Sequence, residues 1–146
     1  MKSSSAALDL IARFEGFSPV SYRCPAGILT IGYGHVILPH EQFDVPFLED
    51  QARQLLARDI ASSERAVARF LPNVSRQCAF DALVSFTFNV GSAALQRSQL
   101  RQVILRGDDD ATHYQWLRWV VARGRKSNGL LMRRRAECAL YFCHLE

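Results

Sequence analysis

Three side chains near the start of this 146-residue chain could act together on one bond: the carboxyl of Glu15, the thiol of Cys24 and the hydroxyl of Thr30. Glu15 follows Phe14 and precedes Gly16 and Phe17. An apolar setting of that kind raises a carboxyl's pKa and keeps it protonated as a general acid. Glycosidic cleavage needs such an acid on the leaving oxygen, and normally a second group on the opposite face that activates water or attacks carbon. Other chemistries lack their motifs: no GxSxG, HExxH or GxxxxGK[ST] occurs, and Gly32-Tyr33-Gly34 lacks the third glycine of a dinucleotide fingerprint. His35, His40, His113 and His144 are scattered, so no metal site and no cofactor are expected.

The elements that must position these groups follow from periodicity. Leu8, Ile11, Ala12 and Glu15 recur at helical spacing with serines ahead and Gly16 behind, which predicts a helix with Glu15 at its C-terminus. Pro25-Ala26-Gly27 marks a turn, and Ile28 to Tyr33 alternates as a strand, giving a small hairpin between Tyr22 and Val36. There Leu29, Ile31, Tyr33 and His35 are expected on one face, and Thr30, Gly32 and Gly34 on a nearly bare one that admits close approach to the backbone. Leu48, Ala52, Leu55, Leu56, Ile60, Ser63, Val67 and Phe70 form one stripe, predicting a single long helix over about 47–71 that Pro72 ends. Residues 76–90 are apolar nearly all round and read as a buried central helix closed by Gly91. Further helices are predicted from Ser98 to Arg106, Ala111 to Ala122 and Leu130 to His144, making five after the hairpin. Trp116 and Trp119 read as core residues. Asn89 could cap the turn after the central helix or offer its amide to a ligand.

Composition narrows the class. With 49% hydrophobic and 22% charged residues the chain has the makeup of a single globular domain. The uncharged stretch Ala82 to Gln96 is interrupted by Ser85, Asn89, Gly91 and Ser92, so no bilayer-spanning segment is expected. The apolar run Ala6 to Ala12 contains Asp9 and is too short for a secretion signal, which predicts a protein made in the cytoplasm. Cys24, Cys78, Cys138 and Cys143 stand at irregular spacings and are expected to be reduced, with Cys78 and Cys138 inert in the core. Net charge is +4, but residues 97–135 hold ten bases against three acids and include the run Arg133-Arg134-Arg135. Such a half suits an anionic partner, although charge runs are usually solvated faces.

The spacing of Glu15, Cys24 and Thr30 resembles the catalytic signature of phage-type lysozymes, the muramidases of glycoside hydrolase family 24, in which Glu is followed by Asp or Cys and then Thr. Phe14-Glu15-Gly16, Cys24-Pro25-Ala26-Gly27, Thr30-Ile31-Gly32-Tyr33-Gly34-His35, Phe80-Asp81-Ala82-Leu83-Val84-Ser85-Phe86 and Arg133-Arg134-Arg135-Ala136-Glu137 are similar to endolysins of lambdoid phages. The resemblance covers residues 8 to about 140. It implies a lysozyme-like α+β fold in one catalytic domain, 1–146: an N-terminal hairpin lobe at about 15–46, a linking helix at about 47–71, and a helical lobe at about 75–146 that includes the N-terminal helix. It also implies hydrolysis of the β-1,4 bond between N-acetylmuramic acid and N-acetylglucosamine in peptidoglycan glycan strands. Glu15 would be the general acid, Cys24 would stand where Asp is usual, and Thr30 would help to place water, with Gly32, His35 and Asn89 as substrate contacts. The implied protein is a monomer without nucleic-acid partner or stable membrane insertion, exported from the host cytoplasm through a holin-type pore to act in the periplasm. Two readings compete with it. A lytic transglycosylase would keep Glu15 and dispense with the second group, and a noncatalytic wall-binding or nucleic-acid-binding module would use the Arg-rich half.

Overall fold

Helix α1 (Ser5–Glu15) starts where Ser4 stops it from fraying: the Ser4 side chain accepts the Ala6 N–H. Asp81, almost wholly buried, accepts hydrogen bonds from the Ser4 N–H and hydroxyl and from Gln77, which pins this end to the centre of the molecule. At the other end Gly16 takes φ 74°, a left-handed geometry that ends the helix directly after Glu15. The structure, a computed structural model, describes residues 1–143.

The chain then forms a three-stranded antiparallel sheet, β1 (Ser18–Arg23), β2 (Leu29–Gly32) and β3 (His35–Val36), in the order β1-β2-β3. The predicted hairpin is present, with the strand before the turn longer than expected. Its two-residue alternation does not run through to His35, however. The chain reverses at Gly32-Tyr33-Gly34, with φ of 66° and 75° at the two glycines, and Ile31 pairs with His35. The glycines therefore serve a turn and close packing, and the expected bare strand face does not form. A small core of Ile31, Phe47 and Leu55 lies beneath this sheet.

The single helix expected over 47–71 is two helices, α2 (Glu49–Asp59) and α3 (Ala61–Phe70), which meet at Ile60. The apolar stripe continues across the join because Leu56, Ile60 and Val67 all enter the main core. Periodicity alone therefore gives no sign of the break. Helix α4 (Gln77–Val90) is the buried central helix that composition predicted, with ten consecutive buried residues from Cys78 to Thr87. At roughly 1.5–3 kcal/mol for each large apolar side chain, Phe80, Leu83, Val84 and Phe86 make it the main source of hydrophobic stabilisation.

Beyond Gly91 come α5 (Ser92–Arg97), α6 (Gln99–Leu105), α7 (Asp109–Trp116), a two-stranded hairpin of β4 (Val121–Ala122) and β5 (Arg125–Lys126), and α8 (Asn128–Tyr141). Helix α5 is not apparent from the sequence, and the helix predicted to reach Ala122 stops at Trp116. There the chain leaves the helical region to enter a hairpin whose turn holds Arg123 and Gly124 at φ 52° and 77°. Two positive φ values in a two-residue turn match the twist of the flanking strands. The last helix begins with a Ser127 side-chain cap on the Leu130 N–H; its predicted end at His144 lies outside the described residues. Trp116 is fully buried, in edge contact with Phe86 at 5.7 Å and beside Tyr141 at 5.1 Å, and Trp119 packs on Phe86 at 5.4 Å.

Candidate active site

Glu15 is placed by the last turn of α1, and its carboxylate meets α8. Arg133 Nη1 donates to Glu15 Oε1 at 2.9 Å. The purely apolar setting expected from Phe14 and Phe17 is thus corrected: a guanidinium held from 118 residues away touches the carboxylate. On its other side Glu15 abuts the turn of the sheet so closely that a Cβ on Gly34 would lie 2.9 Å from Glu15 Oε2. Gly34 must be glycine both for this approach and for its φ of 75°. Gly34→Ala is expected to leave a folded protein in which any reaction that depends on the Glu15 carboxyl slows at least about tenfold, because a displacement of about 1 Å at a catalytic group costs that much or more. A rate measurement beside a thermal melt checks this, and an unchanged rate would show that the Glu15 position tolerates movement.

Arg133 is in turn fixed from behind. Glu137, fully buried, lies 3.3 Å from Arg133 Nε and 3.3 Å from Arg134 Nε, and accepts the Ser85 hydroxyl at 2.6 Å and the Trp116 indole N–H at 3.2 Å. Arg133 Nη2 also donates to the Ser85 carbonyl at 3.2 Å. Desolvation lowers the Arg134 pKa, against the attraction of Glu137, yet a guanidinium starts high enough to stay charged. The run Arg133-Arg134-Arg135 is therefore no solvated basic face. Arg133 and Arg134 are buried, and only Arg135 faces solvent. The i, i+3 and i, i+4 spacing to Glu137 carried this signal, but nothing local pointed to Glu15.

A cavity of about 290 Å³ opens in front of Glu15, lined by Phe14, Asn89, Ser127, Gly129, Leu130 and Arg133. Asn89 is exposed there, and its Oδ1 accepts from Arg134 Nη2, which leaves the amide N–H₂ to face a ligand. A larger depression of about 590 Å³ lies between Phe43, Phe47 and Arg58, shares no residue with this cavity, and contains no residue of the Glu15 network.

Cys24 and Thr30 form a second cluster, at the turn between β1 and β2. The Cys24 N–H donates to the Ile28 carbonyl at 2.9 Å, and the Gly27 N–H donates to the Cys24 carbonyl at 2.7 Å. The thiol is held below its ordinary 9.0, first by the Ile28 backbone N–H, against a smaller opposing desolvation, and then by the Ala26 N–H and the Thr30 hydroxyl. Each of these donors stabilises a thiolate. Thr30 is 3% exposed and its hydroxyl donates to the Ile28 carbonyl at 2.9 Å. Cys24 and Thr30 do not line the cavity; they join it through β2, which runs from Thr30 to the turn at Gly34 against Glu15.

Two expected substrate contacts have structural jobs. Gly32 is buried, and a Cβ there would sit 3.2 Å from the Ala52 Cβ and 3.9 Å from the Phe47 ring, so Gly32 lets the sheet pack on α2. His35 has both ring nitrogens engaged, Nδ1 at 2.7 Å from Asp59 and Nε2 at 2.9 Å from Glu41. Desolvation lowers the His35 pKa, but the hydrogen bonds and charges of Glu41 and Asp59 outweigh it and the net shift is upward. The Leu38 N–H, and then His35, lower that of Glu41. A raised His pKa contributes stability that is complete below the unfolded value of about 6.5 and is lost as pH rises through the folded one. A lowered Glu pKa contributes stability that is lost as pH falls through the folded value. The melting temperature is therefore expected to decline from pH 6 towards pH 8 in the wild type and to be flatter in His35→Asn, as read by scanning fluorimetry; parallel curves would show that this cluster is uncoupled from folding.

The phage lysozyme family model matches residues 12–137, from the middle of α1 to Glu137. The chain belongs to the phage lysozyme family. An endolysin of Bacillus phage B103 is 35% identical over 143 residues, 97% of this chain and 54% of the relative. An endolysin of Acyrthosiphon pisum secondary endosymbiont phage 1 is 32% identical over 97% of this chain and 98% of the relative. The chain thus spans about half the length of the Bacillus phage endolysin it matches. Among solved structures, the endolysin from Escherichia coli O157:H7 phage FAHEc1 superposes with a TM-score of 0.87 at 34% identity, over 97% of this chain and 94% of that one. The lysozyme-like α+β architecture expected from the resemblance is the one observed.

Proposed function

We propose that the protein is an endolysin acting as one catalytic unit, a muramidase that hydrolyses the β-1,4 bond between N-acetylmuramic acid and N-acetylglucosamine in peptidoglycan. The observation that carries this reading is Glu15: a carboxylate at a helix end, clamped between Arg133 and Gly34 and facing a cavity with a free amide at Asn89. Glu15 delivers a proton to the leaving glycosidic oxygen. Arg133 fixes the direction in which the carboxyl points, and Asn89 holds an acetamido oxygen through its N–H₂. Cys24 is the second group, a thiolate that activates the attacking water, with the Ile28 and Ala26 backbone N–H groups donating to its sulfur.

The same reading has the protein made in the host cytoplasm, released through a holin-type pore and active in the periplasm as a monomer. Among the described residues no helix is long and apolar enough to cross a membrane. Mass spectrometry of purified Gram-negative peptidoglycan after digestion tests the reaction. Reducing N-acetylmuramic acid ends are expected. Anhydro ends would replace the hydrolase by a transglycosylase, and intact strands would replace it by a binding module.

Cys24 has its own expected result. An unperturbed thiol is mostly protonated at neutral pH, so a thiolate base depends on the donors around it. Cys24→Asp should retain most activity because it restores a carboxylate pair. Cys24→Ser should lose roughly 10²-fold, since a serine hydroxyl does not ionise. Iodoacetamide should inactivate the wild type, with a rate that rises with pH to a midpoint below 9.0. Full activity in Cys24→Ala would remove Cys24 from the mechanism.

A further inference from the structure

The start of α4 and the end of α8 meet at a pair of thiols outside the Glu15 site. Cys78 lies in the first turn of α4, and Cys143 lies two residues beyond Tyr141, where α8 ends. The Cys78 thiol donates to the Cys143 carbonyl at 3.2 Å. Arg76 Nη1 reaches both residues, at 3.3 Å from the Cys143 carbonyl and 3.6 Å from Cys78 Sγ. Its guanidinium lies 5.5 Å from the centre of the Tyr141 ring, which keeps the cation in place. The Cys78 sulfur therefore lies directly beside Cys143, with one guanidinium in reach of both residues. Cys138 differs, since burial, and then Glu137, push its thiol up to about 12 and leave it inert. Cys78 is buried and unbridged, as expected. Cys78 is buried on the helix side but borders the half-buried Cys143 and a cation.

We propose that Cys78 and Cys143 are an oxidisable pair that closes into a disulfide, fastening the C-terminal end of α8 to the N-terminal end of α4. The oxidant is a small-molecule or protein disulfide. The Cys143 thiolate attacks one sulfur of the oxidant, forming a mixed disulfide and expelling the first thiolate. The Cys78 thiolate then attacks Cys143 Sγ, forms the internal S–S bond and expels the second. The two protons lost by the cysteines end on the two thiols released, so the pair is oxidised by two electrons and the oxidant is reduced by two. Arg76 stabilises the negative sulfur during the second attack. Compartments outside the cytoplasm supply such oxidants.

The bond has a structural consequence. Between Cys78 and Cys143 lie Ser85, Asn89, Arg133, Arg134 and Glu137, so the cross-link encloses all the residues that hold Glu15 from behind. Closing so long a loop restricts the unfolded chain, and a gain of roughly 5 °C or more in melting temperature is expected.

The test incubates the folded, reduced protein with oxidised glutathione, blocks the remaining thiols under denaturing conditions and maps peptides by mass spectrometry. The wild type should fall from four free thiols to two. It should yield a Cys78–Cys143 cross-linked peptide lighter by two hydrogens than the separate pair, and it should melt higher than the reduced form. Cys138→Ser should still cross-link, whereas Cys78→Ser and Cys143→Ser should not. Four thiols after oxidation, glutathione retained on Cys143, or a bridge that includes Cys24 would overturn the proposal. Thiol counting reads this bond whether or not the chain cleaves glycan, so a failure here is distinct from a failure of the proposed function.

Discussion

Glu15→Gln is expected to lower peptidoglycan cleavage by roughly 10²- to 10⁴-fold, the usual contribution of a general acid, while the protein stays folded. The substitution preserves shape and preserves the acceptor: a glutamine Oε1 can still receive the Arg133 Nη1 hydrogen bond that now spans 2.9 Å. Arg133 keeps Glu137 as a counter-charge, so no buried cation is left alone. What disappears is the transferable proton. Release of reducing ends from purified peptidoglycan, measured beside a thermal melt, separates loss of chemistry from loss of fold. More than a tenth of wild-type activity in a folded Glu15→Gln protein would remove Glu15 from the acid role.

Glu137→Gln should have the largest effect on stability. Glu137 is fully buried and faces Arg133 and Arg134, of which Arg134 is also fully buried and has Nε and Nη1 without a hydrogen-bond partner. Removing one member of a buried ion pair leaves an uncompensated charge and costs about 3–5 kcal/mol. For a chain of this length that corresponds to a fall of roughly 10 °C in melting temperature. Denaturant titration followed by tryptophan fluorescence suits the measurement, because the Trp116 N–H bonds to the same carboxylate. A loss below about 1 kcal/mol, the size of a surface ion pair, would show that the two arginines find other partners. Part of the activity should fall with it, since Arg133 links Glu137 to Glu15.

Much of the fold was legible because it depends on local pattern. The 3.6-residue period and flanking serine and glycine marked α1 and set Glu15 at its end, and an apolar surface on all sides marked α4 as central. The break at Ile60 was hidden, since a helix interrupted by one residue can keep its apolar stripe in register. The β4–β5 hairpin was hidden for a different reason: its turn uses Arg123 in a left-handed conformation that non-glycine residues seldom adopt.

Glu15 and Cys24 could be picked out as groups suited to chemistry, together with the helix end and the turn that carry them, because those placements depend on residues within a few positions. Tertiary structure decided what each group meets. It brought Arg133 across 118 residues to Glu15, buried two arginines of a run that is more often a solvated face, and gave Gly32 and His35 partners within the fold. Charge runs and glycines have no fixed environment of their own. A guanidinium is stable in a protein interior only when a carboxylate from elsewhere in the chain compensates its lost hydration, and that partner is fixed by the packing of α1, α4 and α8, not by neighbours in sequence.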